Sequence, residues 1–321
     1  MPVEEIKYKV INGYKLKKKE ALEIYRTTDT EELCQIADEV RQFFMGNKIE
    51  LCTIMNAKSG KCSEDCKYCA QSAHYSTGVS EYPLISKDEA IKRAEENVKY
   101  GVDQFSLVTS GKGISDQDFD NIIDIYKELK IKFPELNLCA SHGIITYEQA
   151  VRLKEAGVGR YHHNLETSKR FYEKICTTHT YKDRVNTIIN AKKAGLSVCS
   201  GGIIGLGETV FDRINMAFEL RKLEITSVPI NILCPVKGTP FGDKEVLEPE
   251  TICRTVAMFR LILPKTNVRF AGGRIALGEN QRQGFKSGIS ATMVGNYLTT
   301  IGNNIEEDIQ MINELGYTTK K

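Results

Sequence analysis

The chain carries almost no net charge: 44 lysines and arginines face 42 aspartates and glutamates, a formal balance of +2. So even a balance gives no electrostatic footprint for nucleic acid, and the lysine clusters read as solvated helix faces. The basic stretch at 15–19 is short and is followed by Glu20, as at a helix start. Long apolar runs are also missing, which excludes a membrane span of ordinary length. No signal-peptide pattern opens the chain, whose first residues are polar and Glu-rich; this predicts a reducing cytoplasm in which the 10 cysteines are free thiols. Low-complexity linkers are absent. The glycine-rich run at 201–207 lacks the spacing of a dinucleotide fingerprint, and no pair of two-cysteine clips of the zinc-knuckle kind occurs.

What is present is an ordinary globular composition, 321 residues with 41% apolar and 27% charged. That length suits one barrel as well as two smaller domains. Strand-like runs at 49–55, 104–109, 136–140, 160–164, 197–203, 227–233, 267–270 and 291–294 alternate with helical runs. Gly101, Gly157 and Gly195 each stand where a helix should end in the left-handed conformation. Strict alternation of eight units predicts an α/β fold, a closed (β/α)8 TIM-type barrel whose active face is the rim at the strands' carboxyl ends. Residues 1–48 predict an N-terminal helical extension that plugs or flanks one end, its second helix capped by Thr30. Residues 49–304 form the expected catalytic domain, and 305–321 a C-terminal helix and tail.

The loop after the first strand holds Cys62, Cys66 and Cys69, with three and then two residues between them. Thiolates are the soft ligands that iron–sulfur clusters take. Three of them around a four-iron cube leave one iron open, as a catalytic metal site keeps a position for its ligand. Zinc or uncommitted thiols are the alternatives for three cysteines alone. The Cys-x3-Cys-x2-Cys pattern, with Tyr68 before its last cysteine, resembles the signature of radical S-adenosylmethionine enzymes. The runs Asn164-Leu165-Glu166-Thr167-Ser168, 198–209 and Val228-Pro229-Ile230-Asn231 are similar to those of the biotin synthases in that superfamily, over roughly 49–300.

The resemblance implies a [4Fe–4S] cluster on Cys62, Cys66 and Cys69, with the amine and carboxylate of S-adenosylmethionine on the open iron. It implies cofactor contacts from Tyr68, Asn164, Glu166, Arg184 and Gly205. Glu166 would grip the ribose diol, where the family more often has aspartate, and Arg184 the methionine carboxylate. Without the family, Glu166 equally suits a helix N-terminus and Arg184 a protein surface. Dethiobiotin is the implied substrate and biotin the product, with Asn164, Asn231, His162, Thr299 and Thr300 around it. Amide side chains match a ureido group, and hydroxyls match the tail carboxylate. His162 taken alone also reads as a buried histidine satisfied by a backbone carbonyl.

Biotin synthases usually hold a second, [2Fe–2S] cluster on three strand cysteines and an arginine, and draw sulfur from it. Cys139, Cys199 and Arg269 match three of these positions, but Ser106 stands at the fourth, and serine is a poor substitute for thiolate. Cys52 on the first strand, where the family more often has serine, is the expected compensation, because neighbouring strands of a closed barrel face a common lumen. The auxiliary cluster is then [2Fe–2S] or a form richer in iron or sulfide. Cys34 and Cys253 read as small buried apolar residues, Cys176 lies in a loop, and strand parity puts Cys234 opposite Asn231. The resemblance further implies a flavodoxin or ferredoxin electron donor, iron–sulfur assembly machinery and a homodimer. Two other readings are a different radical enzyme of the same fold, such as a hydrogenase maturase or a mutase, and a non-catalytic iron–sulfur carrier. A carrier has no use for the Glu166 and Arg184 pair.

Overall fold

The structure, a computed structural model, describes residues 3–295, 298 and 304–320. Three helices come first, α1 (Val3–Ile11), α2 (Lys18–Thr27) and α3 (Thr30–Met45). The alternating part follows: β1 (Glu50–Lys58), α4 (Lys87–Lys99), β2 (Gln104–Thr109), α5 (Asp116–Lys132), β3 (Asn137–Ser141), α6 (Tyr147–Glu155) and β4 (Val158–His162). It continues with α7 (Tyr181–Lys193), β5 (Ser197–Cys199), β6 (Gly202–Ile204), α8 (Val210–Lys222), β7 (Ser227–Ile232), α9 (Pro249–Ile262) and β8 (Asn267–Phe270). The last elements are α10 (Gln281–Phe285), β9 (Ala291–Met293) and α11 (Ile305–Glu314).

Every strand pairing is parallel, β1 joins both β2 and β9, and β5 also pairs with β7, so the sheet closes on itself. The eight expected strands are present, with one correction: the run at 197–203 is not continuous. It forms β5 and β6, which share one stave between β4 and β7 and part at Ser200 and Gly201. The break follows from a competing partner, because Gly201 O accepts from Glu166 N (3.1 Å) and Ile203 N donates to Glu166 O (2.8 Å). Only glycine fits there: a Cβ on Gly201 would lie 1.9 Å from Pro229 O, and one on Gly202 2.3 Å from Glu166 O.

Local signals start and stop the helices around the barrel. Ser86 with Glu89, Thr146 with Gln149, Thr180 with Asp183 and Thr209 with Asp212 form capping boxes at the starts of α4, α6, α7 and α8. Gly101, Gly157 and Gly195 take positive φ just beyond α4, α6 and α7, as expected. The cap of α3 is corrected from Thr30 to Asp29, whose carboxylate accepts from Glu31 N and Glu32 N (2.8 and 3.3 Å). A carboxylate oxygen reaches two orphan N–H groups, while Thr30 Oγ1 is committed to Glu250. The first three helices flank the barrel: α3 packs on α9, α2 on α8 and α9, and α1 on α3.

Strand parity sorts the side chains into two environments. Phe105, Leu107, Leu138, Ala140, Tyr161, Val198, Val228, Ile230, Val268 and Phe270 are at most 2% exposed and form the core under the helices. The alternate positions, which face the lumen, include Glu50, Cys52, Ser106, Cys139, Arg160, His162, Cys199, Asn231 and Arg269. Barrels of this kind usually fill that space with branched aliphatic layers. Thiols and buried charges in their place mark the lumen as a site.

Candidate active site

The cysteine loop leaves β1 at the carboxyl rim and folds on itself: Cys62 N donates to Gln71 O (3.0 Å), Ala73 N to Cys62 O (2.8 Å) and Cys69 N to Cys66 O (3.0 Å). Asp65 pins it to the segment before α7 by accepting from Thr177 N and Thr178 N (2.8 and 3.2 Å). Cys62, Cys66 and Cys69 line one cavity of about 310 Å³ together with Tyr68, Asn164, Glu166 and Arg184. Burial raises the Cys62 thiol and pushes Cys69 up to about 11. Protonated, half-buried thiols of this kind release their protons to a metal. Three cysteines lining one cavity fit a cube held by three ligands.

Glu166 sits at φ 67°, a left-handed conformation that turns its carboxylate into the cavity. Burial raises its pKa, against the pull of Arg184. Asn164 bridges the two strands here, with Oδ1 accepting from Gly201 N (3.1 Å) and Nδ2 donating to Glu166 Oε2 (3.4 Å). Arg184 is anchored on all three nitrogens: Nε donates to Tyr172 Oη (2.7 Å), Nη1 to Asn164 O (3.0 Å) and Nη2 to His179 Nε2 (3.1 Å), with Glu166 Oε1 at 3.4 Å. It is a buried cation, not a surface arginine.

Deeper in the lumen, Cys52 and Cys199 line the same cavity as the loop cysteines, with Arg269, His162 and Asn231. Cys139 is fully buried beside them, its thiol donating to Gln104 Oε1 (3.3 Å), and Cys199 Sγ donates to Ser227 Oγ (3.4 Å). Burial raises the Cys52 thiol and pushes Cys139 to about 12. Burial also holds His162 far below its ordinary pKa, with Arg269 and Arg160 adding to the effect, so the ring is neutral. Burial opposes ionisation of Glu50, yet Arg269 and Arg160 hold it below the usual carboxylate range. Ser106 Oγ, Arg160 Nε, His162 Nε2 and Arg269 Nε are buried without a partner. Unpartnered polar groups in a lumen that also holds three cysteines suit an anionic, sulfur-ligated group.

Most of the expected residues therefore meet around one space. Tyr68, Asn164, Glu166 and Asn231 also line an adjoining cavity of about 260 Å³. Asn231 is already held by backbone, accepting from Gly272 N (3.0 Å) and donating to Gly202 O (3.2 Å). Gly205 stands apart: its amide donates to Glu208 Oε1 (3.0 Å), and Leu247 and Leu233 cover it. Thr299 and Thr300 lie outside the described residues. The placement of Cys234 is corrected, because it lines the adjoining cavity with Asn231; β7 ends at Ile232, so strand parity stops short of it. Cys34 and Cys253 are buried, as expected.

Sequence reasoning missed Glu50 and Arg160, which join Arg269 in the lumen: Oε1 of Glu50 accepts from Arg160 Nη1 (3.1 Å) and Arg269 Nη2 (2.6 Å). Each stands two residues before a residue that was expected in the site, Cys52 and His162, so strand parity would have found both. Sequence reasoning also left Cys176 aside as a loop cysteine and did not pair it with His179. Both side chains are buried beside Cys66.

A closed parallel barrel with a three-cysteine loop at its carboxyl rim defines the radical S-adenosylmethionine class, and residues 57–220 match the Radical SAM superfamily model. Residues 229–318 match the Biotin and Thiamin Synthesis associated domain. The biotin synthase of Acetivibrio thermocellus is 55% identical over 96% of this chain and 96% of its own, and that of Clostridium tetani 51% over 97% of each. The chain belongs to the biotin synthase family, sulfur-inserting enzymes of the radical S-adenosylmethionine superfamily. Solved structures share the fold at low identity: methylornithine synthase (TM-score 0.84, 17% identity, 98% of this chain and 97% of that one) and a maturase of the [FeFe]-hydrogenase (0.85, 18%, 99% and 75%).

Proposed function

We propose that Cys62, Cys66 and Cys69 hold a [4Fe–4S] cluster, that Tyr68, Asn164, Glu166 and Arg184 bind S-adenosylmethionine, and that the cavity below takes dethiobiotin for conversion to biotin. The observation carrying this reading is that the loop cysteines and the lumen cysteines Cys52 and Cys199 line one continuous cavity. When bound, the cube with S-adenosylmethionine supplies a carbon-centred radical, and an auxiliary cluster supplies the sulfur. The chain provides placement and exclusion of water. Ile54, Val108, Met293 and Leu298 give the cavity apolar walls that suit an aliphatic chain. Neutral His162 and the Asn231 amide suit a ureido group, which carries no charge to compensate. Glu166 offers two carboxylate oxygens to a ribose diol, and buried Arg184 offsets its charge and favours a carboxylate nearby.

Cys52, Cys139 and Cys199 are the proposed auxiliary-cluster ligands, with Arg269 beside them. Arg160 and Arg269 stand beside these three cysteines, and Glu50 offsets one of their two charges, which leaves net positive charge for an anionic cluster, [2Fe–2S] or a form richer in iron or sulfide. Gly205 enters this reading as part of the loop against the cofactor, and Thr299 and Thr300 as tail-carboxylate groups, on the family resemblance. A flavodoxin or ferredoxin donor, iron–sulfur assembly machinery, a homodimer and a cytoplasmic setting rest on the same resemblance. No helix among the described residues is long and apolar enough to cross a membrane.

The test is anaerobic turnover of the reconstituted protein with reductant, S-adenosylmethionine and dethiobiotin. Biotin together with 5′-deoxyadenosine is expected. Deoxyadenosine without biotin would point to a different radical reaction, and neither product would point to an electron carrier.

A further inference from the structure

Cys176 and His179 lie between the short turn Tyr172–Lys174 and α7, and they close on the cysteine loop from the far side. Cys66 Sγ, Cys176 Sγ and a ring nitrogen of His179 all lie within 4.8 Å of one another. His179 Nδ1 is 3.1 Å from Cys176 Sγ and 2.7 Å from Glu64 Oε2, and Nε2 is 3.1 Å from Arg184 Nη2. That last contact decides the tautomer. A guanidinium only donates, so Nε2 presents its lone pair and the ring proton sits on Nδ1. Nδ1–H then points at Glu64 and Cys176. A metal on Nδ1 would require the opposite tautomer, with an Nε2–H driven against Arg184. The three groups are therefore a hydrogen-bond chain, not a mononuclear metal site. Cys176 Sγ in turn lies within 4.8 Å of Cys66 Sγ, both residues being buried. Once the Cys66 sulfur is on iron it can only accept, which leaves the S–H of Cys176 as donor.

We infer that Cys176 is a positioning residue that donates a hydrogen bond to the cluster sulfur of Cys66 and raises the cube's reduction potential, with His179 aiming it. The inference rests on the reading that Cys62, Cys66 and Cys69 hold the cube. Hydrogen bonds to cluster sulfurs favour the reduced, more negative state. Glu64, itself in the cysteine loop, and Arg184, beside the proposed cofactor pocket, clamp the two ends of the His179 ring. The ring that aims the donor is thus fixed from the cysteine loop on one side and from the proposed cofactor pocket on the other.

The experiment is a potentiometric titration of the reduced-cube EPR signal in anaerobically reconstituted parent, Cys176→Ala, Cys176→Ser and His179→Phe proteins, with iron counted in each. All four proteins should hold the cube. Cys176→Ala and His179→Phe should lower its midpoint potential, and Cys176→Ser, which keeps a donor, should restore most of the difference. Equal potentials in parent and Cys176→Ala with the cube intact would overturn the inference alone. Loss of the cube from both Cys176 variants would make Cys176 a ligand and overturn it as well. A parent protein that takes up no cube would overturn the cysteine-loop reading with it.

Discussion

Arg269 holds two residues of β1 at once: Nη1 donates to Cys52 Sγ, and Nη2 to Glu50 Oε1 at 2.6 Å. Glu50 and Cys52 are two residues apart and share the lumen face, so one guanidinium presents the thiol inward and compensates the carboxylate. On the adjacent strand, β2, Ser106 Oγ has no partner. In the proposed auxiliary site the first strand supplies the thiol that the second strand lacks.

Cys52→Ala should therefore lose auxiliary iron and sulfide while the loop cube keeps its EPR signal. Deoxyadenosine formation should persist and biotin formation should stop. Iron and sulfide analysis on anaerobically purified protein decides it, and a full auxiliary complement in the variant would remove Cys52 from the site.

Glu166→Ala removes one charged hydrogen-bonding partner from the proposed ribose site. Such bonds contribute about 1.5–3 kcal/mol, so S-adenosylmethionine affinity should fall roughly ten- to hundredfold. Glu166→Asp, with the shorter acid usual in the family, should lose less. Equilibrium dialysis with cube-loaded protein measures both, and unchanged affinity in the alanine variant would exclude the assigned role.

Gly202→Ala should damage the same site through the backbone. The added methyl would lie 2.3 Å from Glu166 O and 2.5 Å from Met216 Sδ, and it must displace Glu166 from its left-handed position. Weaker S-adenosylmethionine binding and a lowered melting temperature are expected together. A crystal structure of the variant with Glu166 unmoved would contradict this account.

Asp308→Ala tests how α11 is fastened to the barrel. Asp308 accepts two hydrogen bonds from Arg274 Nη2 (2.6 and 2.5 Å), and the two side chains are 1% and 0% exposed. Removing one partner leaves a buried guanidinium uncompensated, at a cost of about 3–5 kcal/mol. Urea denaturation of parent and variant gives the difference, and a change near zero would show the pair to be dispensable.

Asp212 predicts an acid limb. Burial opposes its ionisation, but hydrogen bonds from Ser168, Arg170 and Thr209 prevail and pull its pKa to about 2. A carboxyl whose pKa is lower folded than unfolded stabilises the fold above its unfolded value, near 3.9, and loses that contribution as pH falls toward 2. The contribution is on the order of 2 kcal/mol. Asp212→Asn should lower stability at neutral pH and flatten its dependence between about pH 4 and pH 2, as followed by denaturant unfolding. A parallel slope in both proteins would reassign the acid limb to other groups.

The barrel and the cysteine loop are local properties of the chain. Apolar runs of strand length, capping residues ahead of helices and glycines behind them recur within a few residues of each element, and Cys62, Cys66 and Cys69 lie within one turn of chain. These features are legible in the sequence because their physics acts over short separations. The contents of the lumen were decided by closure. Glu50 and Arg160 are 110 residues apart and meet because β1 and β4 face one space, and Cys176 and His179 reach Cys66 through the fold of a distant loop. The division of the fifth stave into β5 and β6 likewise depended on Glu166, a partner that no local pattern names. Side chains acquire ligand, counter-ion or donor roles from what faces them across the barrel, and only the tertiary structure brings those faces together.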